Sequence, residues 1–192
     1  MIVNLARGVR AFTSNAFLVD GKRTVIVDAG NEFDVVGAAR EHVDDVDALV
    51  LTHTHPDHVG NRPDIVAEFD VDVWGYDTSH SDVDHAIDDG GTVQLGDHDY
   101  RTLHTPGHKD DHLCFYSETA STLFAGDLVF ANGGFGRTDL AEGNRAVLIE
   151  SVERLQSVVT ESLGEMHTGH GPSVQTNPYQ DIELAAQAAR MG

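Results

Sequence analysis

Short apolar runs broken by turn residues pattern the first third of the chain. Residues 2–6, 15–19 and 24–27 read as strands, and Asp20-Gly21-Lys22 supplies a tight hairpin turn between the second and third. The third ends in Asp28-Ala29-Gly30, and a helical pattern over 33–43 follows. An apolar run at 46–51 reads as a buried strand, and 64–69 and 71–76 predict a helix and a further strand. From 91 to 125 the pattern is β again, with strands expected at 92–95, 100–105, 112–116 and 121–125. A glycine-rich loop is expected at 133–139. An amphipathic helix follows over 145–159, with Val147, Leu148, Ser151, Val152, Leu155, Val158 and Val159 at helical spacing. A strand at 165–168 and a final helix at 179–190 complete the chain. Two blocks of strands with interspersed helices predict an α/β domain spanning 1–192, most simply sheets sandwiched between helices.

Length and composition fit that reading. A chain of 192 residues is long enough for one sizeable core, and 40% of it is hydrophobic. No apolar run approaches the ~18 residues of a membrane span. Met1 to Arg7 lack the charged start and apolar stretch of a secretion signal, so a cytoplasmic protein is expected. The one cysteine, Cys114, sits in a strand-like apolar run and reads as a core residue, not as a nucleophile. The net charge is −20, with the acid spread along the chain and only Lys22 and Lys109 as lysines. That balance excludes nucleic acid as a partner, because phosphate contacts need basic residues. It also predicts a surface that needs salt to screen its self-repulsion, as in a halophilic cytoplasm. The expected partner is a small-molecule substrate, and the expected assembly a monomer or small homo-oligomer.

The chemistry gathers at Leu51-Thr52-His53-Thr54-His55-Pro56-Asp57-His58-Val59-Gly60, directly after a buried strand. His53 and His55 stand two positions apart, so in extended backbone both imidazoles face one side and can reach one ion. Asp57 and His58 come a turn later, where the chain enters a helix, and suit a neighbouring ion. Each ion then has two ligands, and a hydrolytic zinc needs about three protein ligands with a position left open for water. Three distant residues share a context that can supply the rest. His108 follows Thr105-Pro106-Gly107, Asp127 follows Phe124-Ala125-Gly126, and His170 follows Thr168-Gly169. Each lies beside glycine at a strand-to-loop junction, where side chains converge on one edge of a sheet. His108 would complete the first set, His170 the second, and Asp127 would bridge both. The other histidines, His42, His80, His85, His98, His104, His112 and His167, read as surface or packing residues.

This pattern resembles the metallo-β-lactamase superfamily, whose His-x-His-x-Asp-His motif is followed by a His, an Asp and a His in this order. The resemblance covers nearly the whole chain and implies an αββα sandwich of two mixed β-sheets flanked by helices, with the metal site at one edge. Asp28 matches the early Asp that supports the site from behind its ligands. The stretches Gly126-Asp127-Leu128-Val129-Phe130, Gly136-Arg137-Thr138-Asp139-Leu140 and Gly169-His170-Gly171-Pro172 look like the glyoxalase II-like single-domain hydrolases. They also look like the persulfide dioxygenases. The resemblance implies a metal-dependent hydrolase with two zinc ions, cleaving a thioester or related ester by metal-bound hydroxide. Asp57 would be both ligand and orienting residue, and Arg137 would hold an anionic substrate. The resemblance also admits a mononuclear iron persulfide dioxygenase using His53, His108 and Asp127, and a lactonase. Two departures stand out. Little more than one helix follows His170, whereas glyoxalase II carries a helical domain that binds glutathione. The loop after His108 reads Lys109-Asp110-Asp111-His112 in place of the family's usual Thr- and Gly-containing turn.

Overall fold

A computed structural model describes residues 1–191. The first sheet holds β1 (Ile2–Asn4), β2 (Phe17–Val19), β3 (Val25–Val27), β4 (Ala48–Val50), β5 (Val73–Gly75) and β6 (His85–Ala86), side by side in that order. Its first three strands are antiparallel, and β3 to β6 run parallel. The second sheet takes β7 (Thr92–Leu95), β8 (His98–His104), β9 (Leu113–Ser117) and β10 (Thr122–Gly126). A short hairpin, β11 (Val129–Phe130) and β12 (Gly134–Phe135), follows it. Finally β13 (Glu165–Thr168) joins β10 in parallel, giving the order β13-β10-β9-β8-β7.

Successive side chains of a strand point to opposite faces, and here both faces are buried. Phe17, Val19, Val25, Val27, Ala48 and Val50 meet Val93, Leu95, Tyr100, Leu113, Phe115 and Phe124 between the two sheets. Truncating a fully buried aromatic such as Phe124 to Ala costs about 3–5 kcal/mol. The alternate residues Leu18, Ile26 and Leu49 pack outward against Val35 and Ala39 of α1 (Val35–Arg40) and Ile65 and Phe69 of a second helix. On the far side, Leu103, Cys114, Leu123 and Ala125 pack against two C-terminal helices. The layers are therefore helix, sheet, sheet, helix. The helices in chain order are α1, α2 (Pro56–Val59), α3 (Arg62–Phe69), α4 (Arg145–Val158) and α5 (Pro178–Met191). Asp34 caps α1 by accepting from the Gly37 amide at 2.8 Å, and Asn144 caps α4 by accepting from Val147 at 3.2 Å.

Three stretches differ from the sequence expectation. The expected glycine-rich loop at 133–139 starts at the end of a 3₁₀ turn, Ala131–Gly133, and continues into β12, which pairs with β11. The helix expected over 33–43 is shorter, because Asp34 is its cap and His42 closes a turn onto Ala39. Strand β6 was not expected at all. Both of its residues are exposed, so no apolar pattern marks it, and only pairing with Trp74 and Gly75 makes it a strand. No helix among the described residues is long and apolar enough to cross a membrane.

Candidate metal centre

Five chain segments leave the sheets at one edge, and each delivers a site residue. β3 ends at Asp28, β4 runs out through Leu51 and Thr52 to His53, β8 leads to His108, β10 to Asp127 and β13 to His170. The backbone turns sharply at three of these exits, with φ of 59° at Asp28, 124° at Gly107 and 50° at Gly126. Pairing of β10 with β13 shifts register between Phe124 and Gly126, and this bulge aims Asp127 into the site. Gly169 has no room for a side chain, since a Cβ there would overlap Asp127 Oδ1. Pro56 opens α2 directly after His55, and that single turn carries Asp57 and His58 inward.

All seven predicted ligand residues come together. The donor atoms of His53, His55 and His108 lie within 4.8 Å of one another, as do those of Asp57, His58 and His170, and those of His53, His58 and Asp127. Asp127 stands between the groups. Its Oδ1 is 3.4 Å from His58 Nε2, and its Oδ2 is 3.4 Å from both His108 Nε2 and His170 Nε2. Asp57 Oδ2 lies 3.0 Å from His170 Nε2, and His53 Nε2 lies 3.0 Å from His55 Nδ1. Two ligands of one tetrahedral zinc, at bond lengths of about 2.0–2.1 Å, stand about 3.4 Å apart. The donor set therefore fits metal ions. A second observation agrees: His58 Nε2, His108 Nε2 and Asp127 Oδ1 are buried without any hydrogen-bond partner. Buried polar atoms left unpaired in this way cost free energy unless something else engages them.

The opposite nitrogens are fixed. His58 Nδ1–H donates to Asp28 Oδ2 at 2.9 Å, and His108 Nδ1–H donates to the Arg137 carbonyl at 2.8 Å. Asp28 also accepts from the Thr52 amide (2.7 Å) and hydroxyl (2.8 Å), so it anchors the start of the ligand loop as well as His58. Each imidazole is thus presented with Nε2 toward the centre.

The electrostatics are polarised. Burial opposes charge on His58, but Asp28 and Asp127 outweigh it and hold the imidazole well above its ordinary value. Burial likewise works to raise Asp127, yet the neighbouring His58 and His170 imidazoles keep its carboxyl well below the carboxylate range. His170 is lifted to about 9, the carboxylates of Asp127 and Asp57 overcoming burial. His53 moves the other way, pushed down chiefly by burial and then by the neighbouring His58. His55 falls to about 4, again through burial first, then His108 and Lys109.

Two residues are placed differently from the sequence reading. Arg137 reaches the site through its backbone carbonyl. Its side chain is 62% exposed and its guanidinium forks onto Asp139 at 2.7 and 2.8 Å, so an anion would have to compete with that carboxylate. His112, assigned to packing or surface, lies fully buried behind the centre. It accepts from the Asp127 amide on Nε2 at 2.9 Å, which forces the Nδ1–H tautomer and a donated bond to Thr105 Oγ1 at 2.8 Å. His112 therefore fixes the backbone of Asp127. The signal available in sequence was its place at the end of the loop that follows His108.

A family model described as the metallo-beta-lactamase superfamily matches residues 9–176. The chain belongs to the metallo-beta-lactamase superfamily. Among curated members of that superfamily, it is 34% identical to a hydroxyacylglutathione hydrolase of Enterobacter sp. (strain 638) over 160 residues, covering 81% of this chain. The chain spans 62% of the length of that relative. It is 29% identical to the "Probable metallo-hydrolase YqgX" of Bacillus subtilis (strain 168), covering 86% of this chain and 88% of that one. Among solved structures, TTHA1623 in a di-iron-bound form superposes with a TM-score of 0.73 at 27% identity, covering 98% and 96% of the two chains. Of these names, one carries a substrate, hydroxyacylglutathione, and one a metal, iron.

Proposed function

We propose that the chain is a dinuclear metallohydrolase that cleaves a thioester, with two zinc ions as its cofactors. The observation that carries this reading is the second ligand set. Asp57, His58 and His170 are complete, inward-facing and joined to the first set through Asp127. A mononuclear enzyme would keep these residues only as non-ligands. His53, His55 and His108 would hold one ion, Asp57, His58 and His170 the other, with Asp127 reaching both. When bound, the ions supply a hydroxide nucleophile near neutral pH and polarise the scissile carbonyl.

The chain's own residues do the rest. Asp28 and the Arg137 carbonyl keep His58 and His108 in the ligating tautomer. Asp57 stays anionic because His170 and His58 offset the burial that would protonate it, and its position suits it to orient the attacking water. A thiolate is a good enough leaving group to depart without a general acid, which matches a centre whose acidic side chains are all engaged. The hydroxyacylglutathione hydrolase relative supports a thioester over a lactone. The acidic chain suits a salt-rich cytoplasm, and full structure and activity in salt-free buffer would argue against that location.

Metal analysis of the purified protein, followed by thioester hydrolysis and by oxygen uptake with a persulfide, tests this reading. Two zinc ions with thiol release is the expected result, and His58→Ala should abolish it. One iron with persulfide-dependent oxygen uptake, only weakened by His58→Ala, would refute it.

A further inference from the structure

The acid that dominates this chain stops short of its N-terminus. No Asp or Glu precedes Asp20, while Arg7 and Arg10 both do. These residues form an exposed loop between β1 and β2. Two turns shape it: the Arg7 amide donates to the Asn4 carbonyl (3.3 Å) and the Val9 amide to the Ala6 carbonyl (3.1 Å), with Gly8 at φ 84°. The end of the loop is fastened to the metal centre. The Ser14 amide donates to the Asp57 carbonyl (3.1 Å) and the Asn15 amide to the Gly169 carbonyl (2.7 Å). Asn15 Nδ2 donates to the carbonyls of Thr168 (2.7 Å) and Gly171 (2.9 Å), which bracket Gly169 and His170.

Between this loop and the Gly171-Pro172 segment lies a cavity of about 800 Å³. None of its lining residues is Asp or Glu, and Arg7 is its one permanently charged residue. The chain carries 32 acids against 12 Lys and Arg, so a concave wall without acid is conspicuous. Arg40, Arg62, Arg137, Arg154 and Arg190 all engage acids. Among the described residues, neither Arg7 nor Arg10 forms such a pair. A guanidinium free of carboxylates, on an acid-free wall beside a metal centre, is what an anionic ligand requires.

We propose that this cavity seats the anionic end of the substrate's thiol carrier, with Arg7 forking onto a carboxylate or phosphate and Arg10 raising the positive potential at the rim. The proposal rests on the thioester reading above and adds the site that selects the carrier. Phe12, 75% exposed on the same loop, offers apolar cover for the carrier's chain. A local cation matters in a protein of net charge −20, because the long-range field repels an anionic substrate.

The variants are Arg7→Ala and Arg7→Ala/Arg10→Ala, with Arg101→Ala removing the same charge from an exposed position of β8. Thiol release is followed from S-lactoylglutathione and from its diethyl ester, which lacks the carboxylates. In the double variant KM for the anionic thioester should rise by about tenfold or more, with kcat and the diester kinetics unchanged. Arg101→Ala should change neither. A rise shared by both substrates, an equal effect of Arg101→Ala, or no rise would overturn the proposal. Calorimetric titration of S-methylglutathione and of coenzyme A into the metal-loaded protein reads the site without turnover. At least one should bind, and bind about tenfold or more weakly to the double variant. Binding of neither, or binding insensitive to the arginines, sinks the site. Arginine-dependent binding without thioester cleavage sinks the hydrolase reading and leaves the site standing.

Discussion

Replacing Asp28 with Asn tests how the proposed second ion position is built. Asp28 accepts three hydrogen bonds: from the Thr52 amide at 2.7 Å, the Thr52 hydroxyl at 2.8 Å and His58 Nδ1–H at 2.9 Å. Its φ of 59° is a conformation that Asn also tolerates, so the backbone should hold. In the variant the amide oxygen keeps the Thr52 amide, and the NH₂ group then faces His58 Nδ1–H, donor against donor. The imidazole can relieve this by moving its proton to Nε2, the nitrogen that points at Asp127 and must be bare to ligate. A hydrogen bond to a charged group contributes about 1.5–3 kcal/mol. At 1.4 kcal/mol per factor of ten, its loss weakens the second ion by about 10–100-fold, the range found for partners of ligating His. Asp28 reaches the first set only indirectly, through the Thr52 hydroxyl that lies 3.1 Å from His53 Nδ1, so the first ion should weaken less than the second. Stepwise competition with a chromophoric chelator resolves the two affinities. Equal weakening of both ions would mean that Asp28 holds the whole edge together and not His58, and no weakening would mean that His58 does not ligate.

Thr54→Val should give the mirror image. The Thr54 hydroxyl donates to buried Asp111 Oδ2 at 2.6 Å and lies between His53 and His55, so its loss should cost about 1–3 kcal/mol in denaturant titrations and weaken the first ion selectively. Gly169→Ala forces a Cβ against Asp127 Oδ1 and, at 2.8 Å, His58 Cε1, while the Gly169 amide is tied to Gly126. Folded protein by circular dichroism with fewer than two ions is the expected result, and two ions at wild-type affinity would contradict the packing. Burial pushes the Cys114 thiol up to about 12, which leaves roughly one thiolate in 10⁴ at pH 8. It should resist alkylation until the protein unfolds, and rapid labelling of the native state would show that the strand opens. Burial also lowers His167 to about 4, below its unfolded value of 6.5. Above pH 6.5 both states are neutral there. Below it the unfolded chain takes the proton first, so stability is lost from pH 6.5 down to 4, by at most about 3 kcal/mol. His167→Phe should flatten that part of the stability profile, measured by thermal melts across the window.

The residues that converge could be picked out in the sequence because their chemistry is rare and their punctuation repeats. Histidine or aspartate beside glycine, at the end of an apolar run, recurs at His108, Asp127 and His170, and the fold brings those run ends to one edge. The strand blocks pointed to sheets between helices, and the αββα layer order came with the resemblance to the superfamily. What escaped the sequence was decided by groups that every residue possesses. Arg137 attracts notice as a cation, yet its carbonyl is the atom that holds His108, and Asp139 two positions later has already taken its guanidinium. His112 looks like one more histidine in a strand, and its task is set by the amide of Asp127, which carries no sequence signal. Strand β6 exists only through backbone pairing of two exposed residues. The N-terminal loop belongs to the same class. Its arginines are ordinary in sequence, and they acquire a role only because amides of Ser14 and Asn15 fasten that loop to the carbonyls of Asp57 and Gly169, bringing an acid-free wall of an acidic protein up against its metal centre.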